Sequence, residues 1–250
     1  ILPNLLDAAR RNRDRGQRSA GLFEVGPQYR ETDHTGQDLM ATGLRWGQTG
    51  PRHWAEAPRA VDAFDAKADA LAALEAAGAP VANAQIVAEA PTWYHPGQSG
   101  SIRLGKMVLA TFGVLHPAIL RDYDLDTAVC GFECFLDRIP QPRAKGGKAR
   151  PLLKLEALLP VERDFAFLMD AGVASDAVVR AVRQADKAMV ADVSVFDVYT
   201  GKGVPEGQKS LALSVTYQPR EATLTDEQIE ALGAKVVAAV EKATGGTLRG

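Results

Sequence analysis

The sequence has 250 residues, 46% of them hydrophobic and 24% charged, with a formal net charge of −2. That length buries a real core in one large domain or two modest ones. The near-neutral charge gives no global attraction to nucleic acid or membrane, so any electrostatic footprint is local. No apolar run approaches the roughly 20 residues that span a bilayer. Two cysteines, Cys130 and Cys134, and no signal segment predict a reducing, cytoplasmic setting. The chain begins at Ile1 inside what already reads as a helix, which predicts the C-terminal piece of a longer protein.

The first element, "LPNLLDAARRNRDRG", is amphipathic: Leu2, Leu5, Leu6 and Ala9 face inward, and Arg10, Arg11, Arg13, Arg15 and Arg18 face mostly outward. "GLFEVGPQYR" predicts a strand with a bend and "DLMATGLRWG" a second strand. "FDAKADALAALEAAGA" predicts a helix ending near Gly78. "YHPGQSGSIRLGKMVLATFGVLHPAILRDY" gives a turn, a hairpin and a short helix begun by Pro117. "AVCGFECFLD" closes the region as a strand. Helices mixed with antiparallel strands predict an α+β module over residues 1–139.

Residues 140–156 read as a linker. "RIPQPRAKGGKARPLLK" is rich in proline, glycine and basic residues, has no periodicity and has little to bury.

From 157 to 250 the order of elements is clear. "RDFAFLM" alternates Phe165, Phe167 and Met169 against Asp164, Ala166 and Leu168, a strand. "SDAVVRAVRQAD" is a helix with Ser175 as its expected N-cap. Two alternating runs, "VSVFDVY" and "SLALSVTY", flank a glycine-rich connection and make a hairpin. "TDEQIEALGAKVVAAVEKA" starts with Thr225 and Gln228 in capping-box spacing and carries the stripe Ile229, Leu232, Val236, Val240. Gly245 and Gly246 stop it, and "TLRG" forms a last short strand. The sum is βαββαβ, the ferredoxin-like arrangement.

In that arrangement two helices cover one sheet face, and Ala166, Ser210, Ala212, Ser214 and Thr216 lie together on the other. A face of small residues lets a backbone or a base approach closely. The fold alone does not name the ligand. An enclosed site for a small regulatory molecule and a sheet-to-sheet oligomerisation surface are the alternatives.

Other constellations carry less. Cys130 and Cys134, with His95 and His116, would need a fourth ligand and tighter spacing to hold zinc. His95 and Ser99 share one turn without a third orienting group. Trp46, Trp54 and Trp93 read as core or interface anchors rather than a cage.

Taken in order, "GLFEVGPQYR", "FDAKADALAALEAAG", "YHPGQSGSIRLG", "FGVLHPAIL", "RDFAFLM", "FDVYTGKGVPEGQKSLALSVTYQ", "TLTDEQIEAL" and "TLRG" resemble the β-subunit family of bacterial phenylalanyl-tRNA synthetases over essentially the whole chain. The resemblance implies a catalytically silent copy of a class II synthetase fold in residues 1–139. It implies a ferredoxin-fold anticodon-binding domain in the last hundred or so. It further implies an enzyme that joins phenylalanine to tRNA(Phe) with ATP and Mg²⁺, an α2β2 assembly, and chemistry carried by the α subunit. The family's catalytic copy holds ATP phosphates with an Arg-x-Glu strand motif and a later glycine-rich arginine motif. Here Glu31 directly follows Arg30 and no such later motif comes within residues 31–139, so this chain is expected to carry no catalytic residue, metal or cofactor.

Unpaired bases are recognised by stacking and by hydrogen bonds to their edges. The expected RNA contacts are a base stacked on Tyr199, a hydrogen bond at Ser210, and close approach over Ala166 and Ser214. Lys202 and Lys209 beside the face, Arg163 at its edge, and the linker cations Arg143, Lys145, Lys148 and Arg150 supply charge. One conflict stands: Tyr199 shares its parity with Val193 and Val195, which point into the core. The twist at a strand end and the wet preference of a phenol favour its exposure.

Overall fold

The computed structural model describes residues 1–32, 34–140 and 155–249, and the chain divides into two compact units on either side of the second gap. Most of the predicted linker, with Arg143, Lys145, Lys148 and Arg150, lies outside the described residues.

The first unit runs α1 (Leu2–Asp14), β1 (Ala20–Tyr29), β2 (Gln37–Trp46), α2 (Ala63–Ala76), β3 (Gln85–Val87), β4 (Tyr94–Leu104), β5 (Met107–Leu115), α3 (Pro117–Asp122) and β6 (Val129–Phe135). Its sheet is six-stranded, in the order β1-β2-β6-β5-β4-β3, with every pair antiparallel. Pro3 suits the first turn of α1, where its missing N–H costs nothing, and Leu2, Leu5, Leu6 and Ala9 are buried as their spacing predicts. The start of α2 was not foreseen: Asp62 caps it, and Asp62 and Asp65 form a reciprocal capping box.

β1 pairs with β2 without interruption from Ala20 to Tyr29, so the predicted bend is absent there. β1 is an edge strand, where Pro27 forfeits no ladder bond that matters. The irregularity falls in β4 instead, where the register jumps between Tyr94 and Ser99 and absorbs His95-Pro96-Gly97-Gln98.

β6 lies centrally and is buried almost throughout. Cys130, Phe132 and Cys134 join the core under α2, with Leu74, Ala70, Ile102 and Leu109. Val129 belongs to a second core on the opposite face, with Leu6, Trp46, Tyr94 and Leu115. Glu133 shares that second face, paired across the sheet with Thr42 and Thr111.

The second unit contains β7 (Val161–Asp170), α4 (Ser175–Ala185), β8 (Val190–Tyr199), β9 (Gln208–Tyr217), α5 (Asp226–Thr244) and β10 (Thr247–Leu248). Its sheet order is β10-β7-β9-β8, so the first and third strands are the central pair, as expected of the ferredoxin-like arrangement. Phe167, Met169, Leu211, Leu213 and Val215 pack against Val178 and Val182 of α4 and Leu232, Val236 and Val240 of α5. α5 begins with the Thr225–Gln228 capping box and ends at Gly245, whose φ of 69° is the left-handed conformation glycine adopts freely. Ser175 is the first helical residue rather than the cap; Ala174 takes that place without a side-chain bond. Both units are α+β.

Candidate nucleic-acid interface

Across the helix-free face of the second sheet, the register sets residues in rows. Leu168, Ser210 and Tyr199 form one row; Ala166, Ala212 and Asp197 form the next; Asp164, Ser214 and Ser194 the third. Paired residues in an antiparallel ladder share a face, so Tyr199 stands on the open side with Ser210. The parity conflict is resolved by a bulge. Val195 pairs with Leu213 and Asp197 with Ala212, which leaves Phe196 outside the pairing. One extra residue inverts the alternation. Val193 and Val195 therefore point to the core, while Asp197 and Tyr199 point away from it.

Tyr199 is 40% exposed. Its hydroxyl donates to the carbonyl of Lys202 at 3.3 Å. A side chain at Gly201 would collide with the phenol ring, so the β8–β9 connection seats the ring and fixes its direction. Ser210 is only 5% exposed and offers little of itself to a ligand. Ala166 and Ser214 are half-buried.

Two of the expected contacts stand elsewhere. Lys209 pairs with Met169 and shares the helix side of the sheet; its ammonium donates to the carbonyls of Ala171, at 2.9 Å, and Val173. Arg163 pairs with Val215, again the helix side, and donates to the Glu162 carbonyl. Neither belongs to the open face. In both cases a strand alternates its side chains, and proximity in sequence to the face was no guide.

Sequence reasoning missed Arg249. Its N–H donates to the Ala166 carbonyl at 2.8 Å, extending the β10–β7 pairing and turning its side chain to the open side with Thr247. A guanidinium nitrogen comes 3.7 Å from where a Cβ on Gly203 would sit, so Arg249 reaches the β8–β9 connection. It makes no ion pair among the described residues. Asp197 was also missed, because its side depends on the bulge. The face thus has one corner with an aromatic ring and the cations Lys202 and Arg249, while Glu162, Asp164 and Asp192 make its far end acidic. Such a surface repels phosphate at one end and attracts it at the other.

The remaining constellations are structural. Cys130 and Cys134 are buried, and burial pushes each thiol up to about 12. Among the described residues no three metal-ligating side chains come together. His95 Nδ1 accepts from the Gly97 N–H, and Ser99 donates to the His95 carbonyl, so the two share a turn without a nucleophile–base contact. Trp46 is buried and donates to the Gln17 carbonyl, whereas Trp54 is fully exposed. No helix among the described residues is long and apolar enough to cross a membrane.

Residues 1–136 match the family described as the phenylalanyl tRNA synthetase beta chain CLM domain. Residues 159–249 match the ferredoxin-fold anticodon binding domain. The chain is 57% identical over 250 residues to the phenylalanine–tRNA ligase beta subunit of Paramagnetospirillum magneticum, and 55% over 249 residues to that of Rhodospirillum rubrum. It is 49% identical over 255 residues to that of Brucella abortus. Each comparison covers 100% of this chain but 31% or 32% of the relative, so the chain spans about a third of the length of the curated relatives it matches. By the match over residues 1–136, this chain belongs to the phenylalanyl tRNA synthetase beta chain CLM domain family, and a ferredoxin-fold anticodon binding domain follows.

Proposed function

We propose that this chain is the part of a phenylalanine–tRNA ligase β subunit that holds the anticodon region of tRNA(Phe) and scaffolds the α subunit. Residues 157–250 bind RNA and residues 1–139 form a silent class II-like module that faces the partner. The whole enzyme, a cytoplasmic α2β2 assembly, uses ATP and Mg²⁺ to attach phenylalanine, with the chemistry on α.

The observation that carries the RNA reading is the row Leu168–Ser210–Tyr199. An aromatic ring, seated on Gly201, is held at the edge of a small-residue sheet face beside Lys202 and Arg249. A splayed base stacks on Tyr199 and lies over the flat floor of Ala166 and Ala212. Asp197 accepts from a base amino or imino group, and Arg249 and Lys202 meet phosphate.

The ion pairs of the first unit favour a role without ATP. Arg30, the arginine in the strand position closest to a phosphate-binding motif, is tied to Asp38 at 2.7 Å. Arg45 is held by Asp69, Arg59 by Asp62 and Asp65, and Arg103 by Glu89. These pairs engage the guanidinium groups of Arg30, Arg45, Arg59 and Arg103 on and beside the sheet, which supports a scaffolding role.

Retention of tRNA(Phe) on a filter by the 250-residue chain at moderate salt tests the reading. Retention of tRNA(Phe) above an equal mass of non-cognate tRNA supports it. Equal retention of both, or none, rejects anticodon binding, and self-association without RNA binding would point to an oligomerisation surface.

A further inference from the structure

On the face of the first sheet away from α2 lies a cavity of about 530 Å³, bounded by α1, the end of β1, the start of β4 and α3. Its wall includes Glu133, the central carboxylate of the sheet, which is 5% exposed. Trp93 Nε1 donates to Glu133 Oε2 at 2.8 Å and the Tyr94 hydroxyl donates to the same oxygen at 3.1 Å. Glu133 Oε1 has no hydrogen-bond donor among the described residues. We propose that this cavity is a binding site for a small primary amine with an apolar body, whose ammonium group is received by Glu133.

The chemistry of the wall makes the choice. A carboxylate withdrawn from water is costly unless it is both hydrogen-bonded and paired with charge. Trp93 and Tyr94 supply donors to one oxygen but no positive charge. Apart from the α-ammonium of Ile1, no positive group lines the cavity. With Ile1 acetylated, an ammonium ion supplies both a donor to Oε1 and a positive charge. Burial pushes the Glu133 carboxyl up, and the Trp93 and Tyr94 bonds, with the Ile1 α-ammonium, pull it back down.

Asp122 also lines the cavity and adds to the bias against anions. The rest of the wall is largely apolar, with Leu6 and Ile119 for aliphatic contact and Tyr29 and Tyr123 for aromatic contact. The volume falls in the range of a small-ligand site, roughly 300–1,000 Å³. The anticodon face lies in the second unit and does not include this cavity, so its ligand is a further activity of the chain.

Ile1 lines the cavity too, and its α-ammonium acts on Glu133. The test therefore uses the 250-residue chain acetylated at Ile1. Benzylamine, benzyl alcohol and benzoate are titrated in turn at about pH 8, where the amine is charged and carboxylates are ionised, by calorimetry and by two-dimensional NMR. The expected result is a benzylamine Kd of about 1 mM or tighter, at least about tenfold tighter than benzyl alcohol, with no binding of benzoate. Shifts should centre on the Trp93 indole N–H. Glu133→Gln, which keeps the shape and an acceptor for Trp93, should weaken benzylamine about tenfold or more. Ile119→Trp leaves Glu133 intact and fills the cavity, so it should abolish binding even if the glutamine variant folds poorly. Benzylamine binding no tighter than benzyl alcohol, absence of binding to the acetylated parent, or undiminished binding to a folded Ile119→Trp chain would overturn the proposal.

Discussion

The Lys209 ammonium is fixed to the carbonyl of Ala171 at 2.9 Å, so this cation closes the loop between β7 and α4. Val173 supplies a second carbonyl to the same group. Lys209→Met should therefore act on folding and not on RNA. A hydrogen bond from a charged donor contributes about 1.5–3 kcal/mol, and a methionine retains the apolar stem. Urea denaturation should show a loss of that order, with tRNA(Phe) affinity measured below the transition unchanged. A selective loss of affinity at full stability would return Lys209 to the RNA face.

Tyr199→Ala removes the ring from the exposed end of its row. Losing a base–aromatic stack costs about 1–3 kcal/mol, so tRNA(Phe) binding should weaken about 5- to 150-fold. Ala166→Leu, on the open side and outside the core, should obstruct the same surface with little change in melting temperature. Two normally folded variants that bind like the parent would remove the open face from consideration.

Arg249 and Lys202 carry the charge of the contact corner. Each neutralised phosphate contributes roughly 0.7–0.9 to the log–log dependence of affinity on salt. Arg249→Gln should make that slope shallower by about one phosphate, while the parent slope stays gentler than about −6. An unaltered slope would place Arg249 off the phosphate path.

Pyrophosphate exchange with phenylalanine and ATP, in a preparation free of α subunit, should show no activity above background. The reason is the tying of Arg30 to Asp38. Exchange that survives purification to homogeneity would require a phosphate site in this chain.

Asp186, at the end of α4, accepts from Lys235 of α5 at 2.9 Å. This hydrogen bond holds its carboxyl below the ordinary 3.8, helped by the backbone N–H groups of Met189 and Ala188. A depressed folded value means stability that is present above the ordinary value and is lost as pH falls through the folded one. Asp186→Asn should lower the melting temperature at neutral pH, and the difference from the parent should close below about pH 3.8. A difference independent of pH would assign the effect to shape rather than charge.

Much of the second unit was legible because its signals are local. The Thr225–Gln228 box, the stripe through Val240 and the stop at Gly245 all lie within α5. The sides of Lys209 and Arg163 were legible too: they share parity with Leu211 and Phe165, and their charge was weighted above that parity. The side of Tyr199 was not legible, because the extra residue at Phe196 shows only against β9. Arg249 likewise needed the pairing of β10 with β7, a contact remote in sequence. In the first unit, nothing local to its strand marked Glu133 as buried. Its burial depends on Trp93 and Tyr94, which β4 brings to it from 39 and 40 positions away.

The unpaired Phe196 acts on β8 as a frameshift acts on a message. Before it, Val193 and Val195 answer to the demands of folding, and after it Asp197 and Tyr199 answer to whatever meets the outer surface. Within a single strand the tolerance to substitution changes its phase at one residue. Deleting Phe196 would make Val195 and Asp197 neighbours while they still pair with Leu213 and Ala212, so the bulge alone would go and Tyr199 would keep its place on the outer surface.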